Sequence, residues 1–144
     1  MMIHTYIRLQ HLVESLQYAA REDAYYGHKV KTSDQEFMTG TFYLVSWDVA
    51  EWISTTDIDE KYHPIHLEDV VFSHWLHDGN LGKNQYDMKG KIYDIPRPGH
   101  HFPHEFWSGT IGVHKLKTRE KWIQTLDYFN VTKDLKPSKF YHYP

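Results

Sequence analysis

Leu9, Leu12, Val13 and Leu16 fall at i, i+3, i+4 and i+7, and Ala19 and Ala20 carry the pattern on to polar Arg21-Glu22-Asp23. That spacing lays one apolar stripe along a helix, predicted over about 6–20. Residues 24–30, Ala-Tyr-Tyr-Gly-His-Lys-Val, read as a short strand, and polar 31–36 as a loop. The run Thr41-Phe42-Tyr43-Leu44-Val45 is β-branched and aromatic without alternation. It predicts a central strand buried on both faces.

Ser46 is placed to cap a short helix whose inner face carries Trp47, Ala50 and Ile53 before Ser54-Thr55-Thr56 ends it. A loop with Asp57, Asp59 and Pro64 leads to a helix over 68–78. Its leading acids suit the helix dipole, and Gly79 stands where a left-handed residue is expected. Strands are predicted at 91–95 and 110–114, with a Pro/His-rich loop over 96–104. Trp122, Leu126 and Phe129 mark a last helix capped near Thr118. The chain reads as one α/β domain over 1–130, a mixed sheet flanked by helices, with a tail over 131–144.

A length of 144 residues fits one domain, and 40% hydrophobic with 24% charged residues is ordinary globular composition. The net charge of −3 gives no basic field for a phosphate backbone, so nucleic-acid binding is not expected. With no cysteine there is no thiol nucleophile, thiolate zinc site or disulfide. No apolar run approaches the roughly 20 residues of a membrane span, and Met1-Met2-Ile3-His4-Thr5 is not read as a signal peptide. The 16% aromatic content is the outlier.

Four groups carry candidate chemistry. Glu68-Asp69 opens a helix behind a proline loop; a carboxylate there is a candidate base for a substrate hydroxyl, or simply an acid favoured by a helix start. His114 ends a strand and precedes Lys115-Leu116-Lys117. It is a candidate metal ligand, or a structural histidine. His74 and His77 are helical neighbours, with His100, His101 and His104 following, but they lack an acidic ligand at catalytic spacing and read as surface. Asp57-Ile58-Asp59 has cation-binding spacing but sits in a polar stretch and reads as a solvated turn.

Several segments taken in order resemble one family. They are Thr5-Tyr6-Ile7-Arg8-Leu9, Tyr25-Tyr26-Gly27-His28, the stretch 39–50 (Thr-Gly-Thr-Phe-Tyr-Leu-Val-Ser-Trp-Asp-Val-Ala), Glu68-Asp69-Val70 and Val113-His114-Lys115-Leu116-Lys117. The order resembles the β-1,3-galactosyltransferase and fringe-like hexosyltransferases, glycosyltransferase family 31, over roughly 5–129. The resemblance implies the acceptor half, the C-terminal part, of a glycosyltransferase-A type fold. It implies inverting, metal-dependent transfer from a UDP-sugar donor to a glycan or glycoprotein acceptor, in the Golgi or secretory route. It also implies roles: Asp69 the general base, Glu68 its companion, Gly40 the close approach to the sugar, and His114 a ligand of Mn²⁺.

Two departures accompany the resemblance. The family's Asp-rich metal motif precedes the Thr-Tyr-Ile-Arg-like segment, where this chain has Met2-Ile3-His4, and the family has several glycines where this chain has Gly40. A fragmentary transferase with little activity alone, and with an unprotected sheet edge prone to self-association, is therefore expected. Asn130-Val131-Thr132 is a glycosylation sequon, relevant only in that route. The alternative from another class is a non-catalytic carbohydrate-binding or interaction domain, its aromatic side chains stacking on sugars or filling an interface.

Overall fold

In the computed structural model, which describes residues 4–58 and 67–131, the chain opens on a strand and not on a helix. Strand β1 (Tyr6–Ile7) pairs antiparallel with β6 (Gly112–His114), Tyr6 opposite Val113 and Ile7 opposite Gly112. Helix α1 then runs only over Leu9–Leu16. Backbone pairing with β6 takes the two residues that the helical spacing had claimed. Leu12 is buried, whereas Leu9 and Val13 are 70% and 58% exposed. The inward line is therefore Leu12 and Leu16, narrower than the predicted stripe.

The remaining elements are β2 (Ala24–Lys31), β3 (Glu36–Val45), α2 (Trp47–Thr55), α3 (Glu68–Asp78), β4 (Asn84–Asp87), β5 (Ile92–Asp94) and α4 (Arg119–Tyr128). They form a mixed α/β architecture with two three-stranded mixed sheets in place of the single expected sheet, ordered β1-β6-β5 and β3-β2-β4. In each, the middle strand has one antiparallel and one parallel neighbour. The central strand of the second sheet is β2. The expectation for 41–45 is corrected: β3 is an edge strand, and Phe42, Tyr43, Leu44 and Val45 are only half-buried.

Alternation along β2 divides the packing. Tyr25 joins Met38, Val49 and Leu76 beneath α2 and α3. Its neighbour Tyr26 faces the other way, onto Leu12 of α1 and Ile92 of β5, at the seam between the sheets. A third cluster, Tyr93, Ile95, Val113 and Leu116, is covered by Trp122 of α4 and by Phe129. In α2 the fully buried residue is Val49, and Trp47 is 79% exposed, so the predicted inner face is rotated. Ser46 does occupy the N-cap position, but its hydroxyl accepts from the Ala24 amide, tying the helix start to β2 instead of capping it.

Two further differences have local causes. Asn84–Asp87 is too polar to read as a strand, yet it pairs parallel with β2 through its backbone. Helix α3 ends at Gly79 with φ −77°, an ordinary helical value, and Asn80 takes the left-handed turn at φ 54°. Glycine is required at 79 for another reason: a Cβ there would sit 2.6 Å from the Trp52 ring. The register of β2 slips between Gly27 and Lys29. His28, at the slip, bonds the Ile92 carbonyl through Nδ1 at 2.6 Å and so links the two sheets.

Candidate active site

Glu68 and Asp69 lie in the first turn of α3, which packs on β3. The Gly40 amide of β3 donates to Asp69 Oδ2 at 2.7 Å, and the Val70 amide donates to Oδ1 at 3.0 Å. One oxygen is thus held by the sheet and the other by the helix start. Glu68 accepts from the Tyr43 hydroxyl. Burial, then the bond to Glu68 and that residue's charge, push the Tyr43 phenol well above its ordinary pKa. The phenol is therefore a donor at any working pH, and Glu68 is the acceptor.

His114 and Asp94 end two adjacent parallel strands and stand in register. Nδ1 of His114 lies 2.8 Å from Asp94 Oδ1. Asp94 is 1% exposed. Burial raises the Asp94 carboxyl, but the hydrogen bond and charge of His114, the Phe102 amide and the Lys115 charge outweigh it, and the pKa falls below the ordinary carboxylate value. The pairing assigns the Nδ1 proton to the side facing Asp94 and leaves Nε2 available. Lys115 follows at φ 67°, a conformation uncommon for a residue with a side chain, and ends the strand abruptly behind His114.

These two halves face each other across one cleft of about 470 Å³. Gly40 and Asp69 line one wall, Asp94, His114 and Lys115 another, and Phe102 is shared between them. All four sequence-predicted residues are thereby placed: Gly40, Asp69 and His114 line the cleft, and Glu68 stands beside it at the helix start. Beside Gly40 there is room: a Cβ would lie 3.5 Å from Asp69 Oδ2, an ordinary contact.

A carboxylate bonded to the nitrogen that faces away from the ligand is how metal-binding histidines are commonly oriented, and His114 fits that pattern. Among the described residues, however, no three His, Cys, Asp or Glu side chains come together around one point. They offer one oriented nitrogen, where Mn²⁺ takes several nitrogen and oxygen ligands. His100 and His104 are each bonded through Nδ1 to a backbone carbonyl, of Ile95 and Glu105. Asp57 is exposed; its expected partner Asp59, Pro64 and the tail from 132 lie outside the described residues.

Compared with protein-family models, curated proteins and solved structures, the chain matches none of them. What the chain can do is therefore read from its own side chains.

Asp94 and Tyr43 escaped the sequence reading. A signal for Asp94 exists: Ile92-Tyr93-Asp94 and Gly112-Val113-His114 are both short apolar runs ending in a polar residue. In parallel neighbours such residues emerge together at the carboxyl ends, where open α/β sheets place their ligands. Nothing in the sequence announces that the two strands are neighbours. Tyr43 is one aromatic among many, and its role depends on α3 packing over β3.

Proposed function

We propose that this chain carries the acceptor side of an inverting hexosyltransferase resembling the β-1,3-galactosyltransferase and fringe-like group, in a partial glycosyltransferase-A type fold. One observation carries the reading: Asp69, fixed by the Gly40 amide, lies across a single cleft from His114. In the reaction an acceptor hydroxyl enters beside Gly40 and gives its proton to Asp69. Its oxygen forms the new bond to the anomeric carbon as the bond to the departing nucleoside diphosphate breaks. General-base help of this kind contributes about 10² to 10⁴ in rate.

Glu68, held by Tyr43, keeps a second negative charge at the helix start and favours the positively polarised sugar over the diphosphate on this wall. Lys115 and the Nε2 edge of His114 belong to the donor side. Bound Mn²⁺ would neutralise the leaving diphosphate, with His114 one of its ligands. Since the described residues provide no further ligands, weak donor binding and little transfer by this chain alone are expected. The setting proposed is the Golgi or secretory route, with a glycan or glycoprotein as acceptor and self-association through a sheet edge.

The test is a titration of the ¹⁵N-labelled chain with neutral oligosaccharides, including galactose- and N-acetylglucosamine-terminated ones. Shifts confined to Gly40, Thr41 and His114, and lost in Asp69→Asn, are expected. A silent Gly40 amide across the whole panel would refute the reading. A non-catalytic carbohydrate-binding domain is the second reading, favoured by the exposure of Tyr18 (87%), Trp47 (79%) and Trp107 (39%). It predicts shifts at Trp47 or Trp107, with Gly40 unmoved.

A further inference from the structure

We infer that the larger cleft beside β2 is a second saccharide subsite, built for an acidic sugar carrying a carboxylate or sulfate. The inference rests on the proposed sugar chemistry of the Asp69 cleft, which the larger cleft adjoins. Its volume is about 710 Å³, and it shares only His101 and Phe102 with that neighbour.

The floor is His28, which is 3% exposed. A carbonyl only accepts, so the 2.6 Å contact with Ile92 O assigns the proton to Nδ1. Nε2 of the neutral ring then keeps a bare lone pair, and this buried atom has no partner. A buried imidazolium would leave an unpaired N–H there, at greater cost. An unsatisfied acceptor beneath a cleft points to a ligand that brings a hydroxyl or N–H donor. The Phe102 ring stacks 4.8 Å from His28, centroid to centroid, and forms an apolar wall suited to a sugar face. Tyr93, also lining the cleft, has its hydroxyl committed to Thr110 and adds shape only.

The rim supplies charge. Lys29 and Lys31 share one carboxylate, Glu36, at 2.5 and 3.1 Å. Asp87 turns Oδ1 back onto the amides of Lys29 and Lys89. Three ammonium groups thus stand against two carboxylates, and no described carboxylate pairs with Lys89. The ligand that satisfies floor, wall and rim together combines a hydroxyl donor, a ring face and an anionic group. An acidic saccharide has all three. A hydroxyl over His28 leaves the anionic substituent to reach Lys89, while the rest of the chain extends past Phe102 towards Asp69.

The test uses the ¹⁵N-labelled full chain and three probes: a uronic-acid oligosaccharide, a sulfated one, and a neutral one of equal length. His28 imidazole nitrogens and the Lys89 amide report on this cleft, and the Gly40 amide on its neighbour. Either acidic probe is expected to move the His28 Nε2 resonance towards a hydrogen-bonded value and to shift Lys89, whereas the neutral probe leaves Lys89 still. Lys89→Gln, an exposed change that spares the fold, is expected to weaken the acidic probe about two- to fivefold, the size of one exposed ion pair. Acidic probes that leave His28 and Lys89 unmoved while Gly40 responds overturn this inference and spare the Asp69 reading. The reverse pattern sinks the Asp69 reading and keeps the acidic-sugar cleft. If inorganic sulfate alone reproduces both shifts, the sugar assignment is overturned.

Discussion

Removal of the Asp94 carboxylate tests the arrangement on which the donor-side wall depends. In Asp94→Ala, the His114 Nδ1–H, now 2.8 Å from Asp94 Oδ1, and the Phe102 amide at 3.4 Å lose their acceptor in a position that is 1% exposed. Truncating one member of a buried charged pair costs about 3–5 kcal/mol. The His114 side chain retains 19% exposure and can turn towards water, so the lower end, about 3 kcal/mol, is expected. Asp94→Asn keeps the shape and one acceptor oxygen but loses the charge, at about 1–2 kcal/mol. A double-mutant cycle with His114→Ala isolates the pair, and a coupling of about 1.5–3 kcal/mol is expected for a charge-assisted bond.

The measurement is urea unfolding of the wild type and the three variants at pH 7, compared at equal m-value so that the denatured states are alike. A coupling below about 0.5 kcal/mol, within the scatter of independent sites, would refute the argument that the two strand ends hold each other. Imidazole ¹⁵N shifts provide the functional half of the same experiment. The wild-type ring is expected to carry its proton on Nδ1, and the Asp94→Ala ring to lose that preference.

Other outcomes follow from the same contacts. Because the folded Asp94 pKa lies below its unfolded value, its contribution is complete above about pH 4 and is lost as pH falls through the lower folded value; acid titration of stability should show a loss there that Asp94→Asn lacks. Gly40→Ala has open space and should leave stability unchanged or raise it by about 0.4–1 kcal/mol, while weakening saccharide shifts in the Asp69 cleft. Gly27→Ala should cost about 1–3 kcal/mol in urea unfolding, since its Cβ would meet the Phe42 carbonyl oxygen at 2.9 Å and two side-chain Cβ atoms at 3.0 and 3.1 Å. Tyr43→Phe should cost about 1 kcal/mol and free Glu68; an unchanged midpoint would mean that the phenol bond is absent in solution.

The sequence carried the local elements better than their partners. Helix α3 and the capped start of α4 were legible, because leading acids and Thr118 act within a few residues; the Thr118 hydroxyl does accept from the Lys121 amide. Tyr6 and Ile7 misread because a two-residue strand has no period, and only β6, far along the chain, makes it extended. β3 looked central from its unbroken apolar run, yet the run marks an edge strand covered by α3 on one side. The candidate residues were nameable one at a time. Their meeting was not: Gly40 reaches Asp69 through the packing of α3 on β3, and His114 reaches Asp94 through a parallel register that side-chain type does not encode.

That register has a bearing on how the protein is made. The β3-β2-β4 sheet is complete once Asp87 has left the ribosome, but β1 must wait for β6, more than a hundred residues after it, before its hydrogen bonds can close. At roughly 5–20 residues per second the wait lasts on the order of 5–20 seconds. During synthesis the Leu12 side of α1 lacks the Ile92 and Ile111 that later bury it. The Asp94–His114 couple, formed by the last strand to arrive, is then among the final pieces to assemble, and a nascent chain halted before residue 112 should hold one ordered sheet and no working cleft.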